Sequence, residues 1–297
     1  MTGPSIPSQH PASHAAAPGG THEGAHEGAR EGASNGTRNR ILTSLPAGEY
    51  ARLAPHLERV DLELRQVLFD VDRPITHVYF PEAMVTSVLG VMADGTSVET
   101  ATVGREGMVG LPVFLGTDQT SAQAFSQVAG PALRMTAEAF RAAVPESPAL
   151  TLALHRYTQA LFTLVAQNSA CNRLHTMAER CARWLLHTHD RVERDEFPLT
   201  HHFLSQMLGV RRATVTEAMG TVQARGAVDY QMGRVRVRDR GALEGAACEC
   251  YAIITREFDR LLGGSGARPR GDASPLEAVT TEQGGRTALG EGVPRGE

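Results

Sequence analysis

The sequence holds no lysine: all 29 basic side chains are arginine, the bias expected of a GC-rich genome, so arginine density carries no nucleic-acid meaning by itself. Nor is there an excess of positive charge. The formal net charge is -4, which excludes a protein that seeks polyanions through its overall charge, and any such signal must be local. No run of 18 apolar residues occurs, so neither a transmembrane helix nor a membrane partner is expected. Cysteine is sparse. Cys171, Cys181, Cys248 and Cys250 lie in stretches that read as helical and follow no signal peptide, which makes the cytoplasm the expected compartment. Metal ligands are also scarce: only His56 and His77 fall in the β-rich region, too few for a cupin-like enzyme centre, and no nucleophile has a base at recognisable spacing. The protein is not expected to be an enzyme. Cys248 and Cys250, two apart on an expected helix, should point in different directions, so no metal site and no cofactor are expected either.

What is present falls into blocks. Residues 1–40 are rich in Pro, Gly, Ala, Ser and His, repeat His22-Glu23-Gly24-Ala25 as His26-Glu27-Gly28-Ala29, and carry almost no large apolar side chain. Such a segment cannot bury enough surface to offset its ordering entropy, and it reads as a disordered tail whose His10, His14, His22 and His26 are solvated. Residues 263–297 read likewise.

From 41 to 146 short apolar runs alternate with turn signals, among them Asp94-Gly95, a hairpin signal, and glycines follow at 104, 107, 110 and 116. Strands at this spacing predict an antiparallel β-roll or barrel. At Pro148 the period becomes helical. Leu150, Leu154, Tyr157, Leu161, Leu164 and Asn168 recur at steps of four, three, four, three and four, a heptad seam. Two uses of the seam stay open, docking on the β-roll and self-association, and the second is favoured: residues 147–173 are expected to form a dimerisation helix, with Asn168 fixing register. The whole is an α+β chain.

The segment 198–222 has the requirements of a helix-turn-helix. Thr200 can cap a first helix whose apolar face is Phe203, Leu204, Met207 and Leu208; Ser205 is small where the helices cross, and Gly209 suits the tight turn. Val210, Val215, Ala218, Met219 and Val222 then form the buried face of a second helix. Its outward face leaves Arg211, Arg212, Ala213, Thr214, Thr216 and Glu217 for double-stranded DNA, where Arg212 can pair bidentately with guanine and Glu217 can accept from cytosine. After Gly226 an alternating stretch turns at Gly233 and reads as a wing that places Arg234 and Arg236 on one face. Residues 200–240 hold seven arginines against three acids. The positive charge is concentrated where the motif needs it.

Read together, the glycine-punctuated β-roll, the long helix and the winged helix-turn-helix of residues 174–245 resemble the Crp/Fnr superfamily of bacterial transcription regulators over about residues 41–245. The resemblance implies a cyclic-nucleotide-binding-like roll, a homodimer, a palindromic site with half-sites about one helical turn apart, and base contacts at Arg212, Ala213 and Glu217. RNA polymerase and a small-molecule effector join the implied partners. The roll departs from the cyclic-nucleotide binders. Thr120 stands where their phosphate-binding arginine would be, and Gly110 or Leu111 replaces their glutamate, so control by cyclic AMP is not expected; no N-terminal cysteine cluster of the oxygen-sensing kind is present. Arg105, Glu106, Gly107, Thr120 and Ser121 are the candidate effector contacts. The helix over 241–262 is expected to pack on the winged domain. The alternative function is a small-ligand receptor whose winged domain makes protein contacts, which would show weak DNA affinity independent of sequence.

Overall fold

The computed structural model describes residues 36–192 and 194–263. The tail expected over residues 1–35, with its four histidines, and the tail beyond Gly263 lie outside the described residues. The tail boundary at residue 40 is corrected, because Thr37 and Asn39 are buried. Asn39 caps α1 (Arg40–Thr43): its Oδ1 accepts from the N–H of Ile41 at 3.1 Å and of Leu42 at 3.3 Å. Its amide nitrogen donates to the carbonyls of Pro81 at 3.0 Å and Gly107 at 2.8 Å, so one side chain pins the start of the fold to two loops of the roll.

After α2 (Ala47–Leu53) come β1 (Glu58–Leu62), β2 (Val67–Phe69), β3 (His77–Pro81), β4 (Val85–Val91) and β5 (Ser97–Val103), then a one-turn α3 (Leu111–Phe114), β6 (Ala122–Val128), β7 (Gly130–Thr136) and α4 (Ala137–Ala143). The strands form two antiparallel sheets, ordered β1-β7-β3 and β2-β6-β4-β5. Between them sit Val78, Phe80, Met84, Ala124 and Phe140, all buried. The β4–β5 hairpin closes at the Asp-Gly position: Gly95 has φ +81°, which glycine adopts without Cβ strain, and Asp94 Oδ1 accepts from the Thr96 N–H at 2.9 Å.

The long α5 (Pro148–Leu174) opens with Pro148, and its exposed N–H groups are met by Glu49 of α2, whose carboxylate accepts from the Ala149 N–H at 3.1 Å and from the Ser147 hydroxyl. The favoured use of the heptad seam is corrected. Leu150, Leu154, Tyr157 and Leu164 are buried against the roll of the same chain, where they add to its core, and Leu161 is half-buried beside them. Asn168 is also satisfied internally: it donates to the Thr100 carbonyl at 3.0 Å and accepts from Arg183 Nη1 at 2.6 Å. Sheet surface supplied a partner for the stripe before any second chain was needed. The face of α5 turned away from the roll carries Leu152, Phe162 and Val165, all exposed.

Next come α6 (Met177–Val192), β8 (Glu196–Pro198), α7 (His201–Leu208), α8 (Arg212–Ala224), β9 (Val228–Gln231), β10 (Arg234–Val237), α9 (Arg240–Ala246) and α10 (Cys250–Leu262). A second core, with Leu185, Leu186, Phe197, Leu204, Val215, Met219, Val222 and Val235, holds these elements together. The single helix expected over 241–262 is broken at 247–249. α9 packs with the winged domain, on α6, while α10 lies mainly along α5 and buries Ile254 and Phe258 in the core of the roll, with only Tyr251 at its start reaching the core of the winged domain. Cys248 therefore lies ahead of α10 and Cys250 opens it, which overturns the expectation that the two thiols diverge on one helix.

Candidate nucleic-acid interface

Thr200 Oγ1 accepts from the Phe203 N–H at 3.1 Å and starts α7. Gly209 ends it in the left-handed region, φ +64°, and its N–H and that of Val210 return to carbonyls of the last turn. Arg180 of α6 donates to the Leu208 carbonyl at 3.1 Å, covering another open end of the helix. The chain then turns and α8 begins at once. Val215, Ala218, Met219 and Val222 face inward, as expected from their spacing, which leaves Arg211, Arg212, Ala213, Thr216 and Glu217 exposed and Thr214 half-buried.

One of these side chains, Thr216, is engaged within the domain. The Thr216 hydroxyl donates to the Arg212 carbonyl at 3.1 Å and meets His201 Nδ1 at 2.9 Å. His201 in turn stacks on Tyr230 of the wing, centroids 4.2 Å apart and planes 20° off parallel. Burial, and then the nearby Arg212 charge, hold the His201 imidazole below its ordinary pKa, so it is neutral where it buttresses α8. His201 thus joins α7, α8 and wing, a role the sequence did not announce because histidines at the start of a helix have no distinctive pattern.

The wing strand β10 pairs with both β9 and β8, so the wing is three-stranded rather than two. Met232 (φ +47°) and Gly233 (φ +74°) form its turn. Arg234, Arg236 and Arg238 share the exposed face, with Val235 and Val237 turned inward. Glu196 of β8 sits between Arg234 and Arg236 and pairs with both, at 2.6 Å to Arg236 Nη2, while Arg238 lies 3.3 Å from Asp229. The two guanidinium groups hold the Glu196 carboxyl below its usual range. The concentration of positive charge read over residues 200–240 is diminished for this reason: the strand begins before the window and brings an acid to two of its arginines.

The candidate effector residues divide into two places. Glu106 is buried, accepts from the Gly104 N–H at 3.0 Å and is bonded by Arg191 of α6 through Nε at 2.8 Å and Nη2 at 2.7 Å. Gly107 is the seat of Tyr157: a Cβ there would stand 2.3 Å from the ring, and the Tyr157 hydroxyl donates to the Met108 carbonyl at 3.2 Å. These two residues are corrected from ligand contacts to contacts between the roll and its helices. Arg105 is half-buried in the same loop. Thr120 and Ser121 lie beyond α3, where Thr120 accepts from the Asp72 N–H through its carbonyl and from the Ala122 N–H through its hydroxyl.

Comparison with known proteins agrees with the architecture. Residues 179–246 match the family described as Crp-like helix-turn-helix domain. No curated protein matches the sequence as a relative. Among solved structures, FixK2 from Bradyrhizobium japonicum superposes with a TM-score of 0.55 at 15% identity, over 65% of this chain and 98% of that one. The c-di-GMP responsive global regulator CLP of Xanthomonas campestris gives 0.55 at 14%, over 65% and 100%, and TTHA1359, a Crp/Fnr-family regulator from Thermus thermophilus, gives 0.53 at 18%, over 64% and 98%. From its roll, its long helix and the domain of residues 179–246, this chain is a protein of Crp/Fnr architecture that carries a Crp-like helix-turn-helix DNA-binding domain.

Proposed function

We propose that the protein is a homodimeric, sequence-specific transcription regulator that reads the major groove with α8. The observation that carries the reading is the solvent face of α8: Arg211, Arg212, Ala213 and Glu217 stand exposed directly after the Gly209 turn, beside the arginine-bearing wing. An arginine near the start of such a helix suits guanine O6 and N7, and Glu217 suits a cytosine amino group. Thr214 and the α8 N-terminus, with Arg234 and Arg236, serve phosphates. The second α8 of a twofold dimer would meet the next major-groove face, about one helical turn away.

The dimer forms through the outer face of α5. Phe162 is 69% exposed and Leu152 51%, on the side left free when the inner side docked on the roll. Apolar area of this kind on a 27-residue helix suits a second copy of the same helix.

Cyclic AMP does not control the protein on this reading. The Glu106 carboxylate is already held by Arg191, Tyr157 fills the space over Gly107, and Thr120 offers no charge to a cyclic phosphate. Selection from random DNA tests the main proposal: enrichment of a palindrome supports it, and uniform weak binding to all sequences overturns it in favour of a protein-contact role. Calorimetry with cyclic AMP beside a DNA titration tests the last part, where micromolar binding that also raises DNA affinity would reverse it.

A further inference from the structure

Four metal-ligating side chains converge where the C-terminal end of α5 meets the corner between α9 and α10. Cys171, His175, Cys248 and Cys250 place three sulfurs and an imidazole nitrogen within 4.8 Å of one another. Cys171 Sγ is 3.5 Å from Cys248 Sγ, and Cys250 Sγ is 3.4 Å from His175 Nδ1. A tetrahedral zinc ion with Zn–S of about 2.3 Å and Zn–N of about 2.0 Å requires edges of about 3.8 Å between sulfurs and about 3.5 Å between sulfur and nitrogen. These two pairs stand within a few tenths of an ångström of that spacing, and every remaining pair lies within 4.8 Å. All three cysteines are buried and form a small cluster apart from both main cores.

The surroundings match as well. His175 caps the C-terminal end of α5 four positions after Cys171, and its N–H donates to the Cys171 carbonyl at 3.1 Å, which holds the two residues together. The other imidazole nitrogen, His175 Nε2, lies 3.1 Å from the Glu249 carboxylate, the arrangement that orients a metal-binding histidine and fixes its tautomer. Gln167 Nε2 donates to Cys250 Sγ at 3.2 Å. Arg180 and Arg183 lie within electrostatic reach of Cys171, opposite in sign to the net single negative charge of three thiolates and a divalent cation.

We propose that Cys171, His175, Cys248 and Cys250 bind one zinc ion as a closed Cys3His site that clasps α10 to the end of α5. Binding releases the thiol protons to water and involves no oxidant. With four protein donors the ion has no position left for substrate, so its part is structural. Donors within 4.8 Å of one another fit a single ion rather than an iron-sulfur core, around which cysteines stand further apart.

The test is metal analysis of the full-length protein, produced with zinc supplied and purified under reducing conditions without chelator. One zinc per chain is expected, and cobalt substitution should give the intense visible bands of a tetrahedral thiolate site. Cys248→Ser should lose the metal. Because that change also alters a buried corner, Glu249→Gln gives a second measure: in competition with a chromophoric chelator its zinc affinity should fall about ten- to a hundred-fold while circular dichroism is unchanged. Protein that folds without stoichiometric zinc, that carries iron and sulfide, or that forms a Cys171–Cys248 disulfide while zinc is present would overturn the assignment.

Discussion

Single side chains separate recognition from scaffolding in this molecule. Arg212 is exposed on α8 with its guanidinium available, so Arg212→Ala is expected to cost about 1–3 kcal/mol on the selected DNA site and much less on random DNA. Arg234 is already paired with Glu196, so Arg234→Ala should weaken all sequences alike and only slightly, with a shallower dependence on salt. Equal losses on specific and random DNA for Arg212→Ala, read by fluorescence anisotropy, would contradict base recognition. Gly107 belongs to the scaffold. A methyl group there meets the Tyr157 ring at 2.3 Å, and the ring has no room to withdraw because it is fully buried. Gly107→Ala is expected to destabilise the fold by about 1–3 kcal/mol in urea titrations, and pairing it with Tyr157→Leu should recover part of the loss. A strictly additive double variant would show that the two residues do not press on each other.

At the level of elements, α5 divides its surface between two partners. Its inner stripe is committed to the roll, and its outer stripe carries Phe162 and Leu152 in the open. Phe162→Asp should leave the folding of a single chain within about 0.5 kcal/mol, since the side chain touches little in it, but should turn a dimer into a monomer by light scattering. A dimer unchanged by Phe162→Asp would move the interface elsewhere. How far elements could be read from sequence follows from how local their signals are. The Asp94-Gly95 turn, the Thr200 cap and the Gly209 corner are set by a few adjacent residues, and the structure has all three where the sequence placed them. The seam of α5 shows one period whether it meets a sheet or a second helix, so its spacing could not choose between them. Partners distant in sequence were equally hidden: Glu196 between two wing arginines, Arg191 on Glu106, and Cys171 beside Cys248, 77 positions further along the chain. The break at 247–249 went unseen because it lacks proline and glycine, the residues that punctuate helices.

For the molecule as a whole, the roll and the winged domain meet across α6, where an apolar core that includes Val85, Leu89, Phe125 and Val128 of the roll is joined by a set of polar contacts. Glu106 pairs with Arg191, Trp184 Nε1 donates to Glu99 at 2.8 Å, Gln127 Nε2 donates to Thr188 at 3.2 Å, and Asn168 accepts from Arg183. His187 sits among these groups, buried, with its ring 5.3 Å from that of Tyr251 on α10. Burial first, then the charges of Arg191 and Arg183, hold its imidazole well below the ordinary value near 6.5. The folded protein therefore keeps His187 neutral at pH values where the unfolded chain has already protonated it. Such a group contributes stability that is complete above the unfolded pKa and is lost as pH falls below it towards the folded one. Within that window a single fully coupled site removes up to about 1.4 kcal/mol of stability per pH unit. Urea titrations from pH 7 downward should accordingly show stability declining from about pH 6.5 in the native protein. His187→Phe keeps a ring against Tyr251 and carries no charge, so the decline between about pH 6.5 and the carboxylate range should be shallower in that variant by most of this amount. Parallel slopes for the two proteins would show that protonation of His187 does not govern how roll and winged domain hold together in acid.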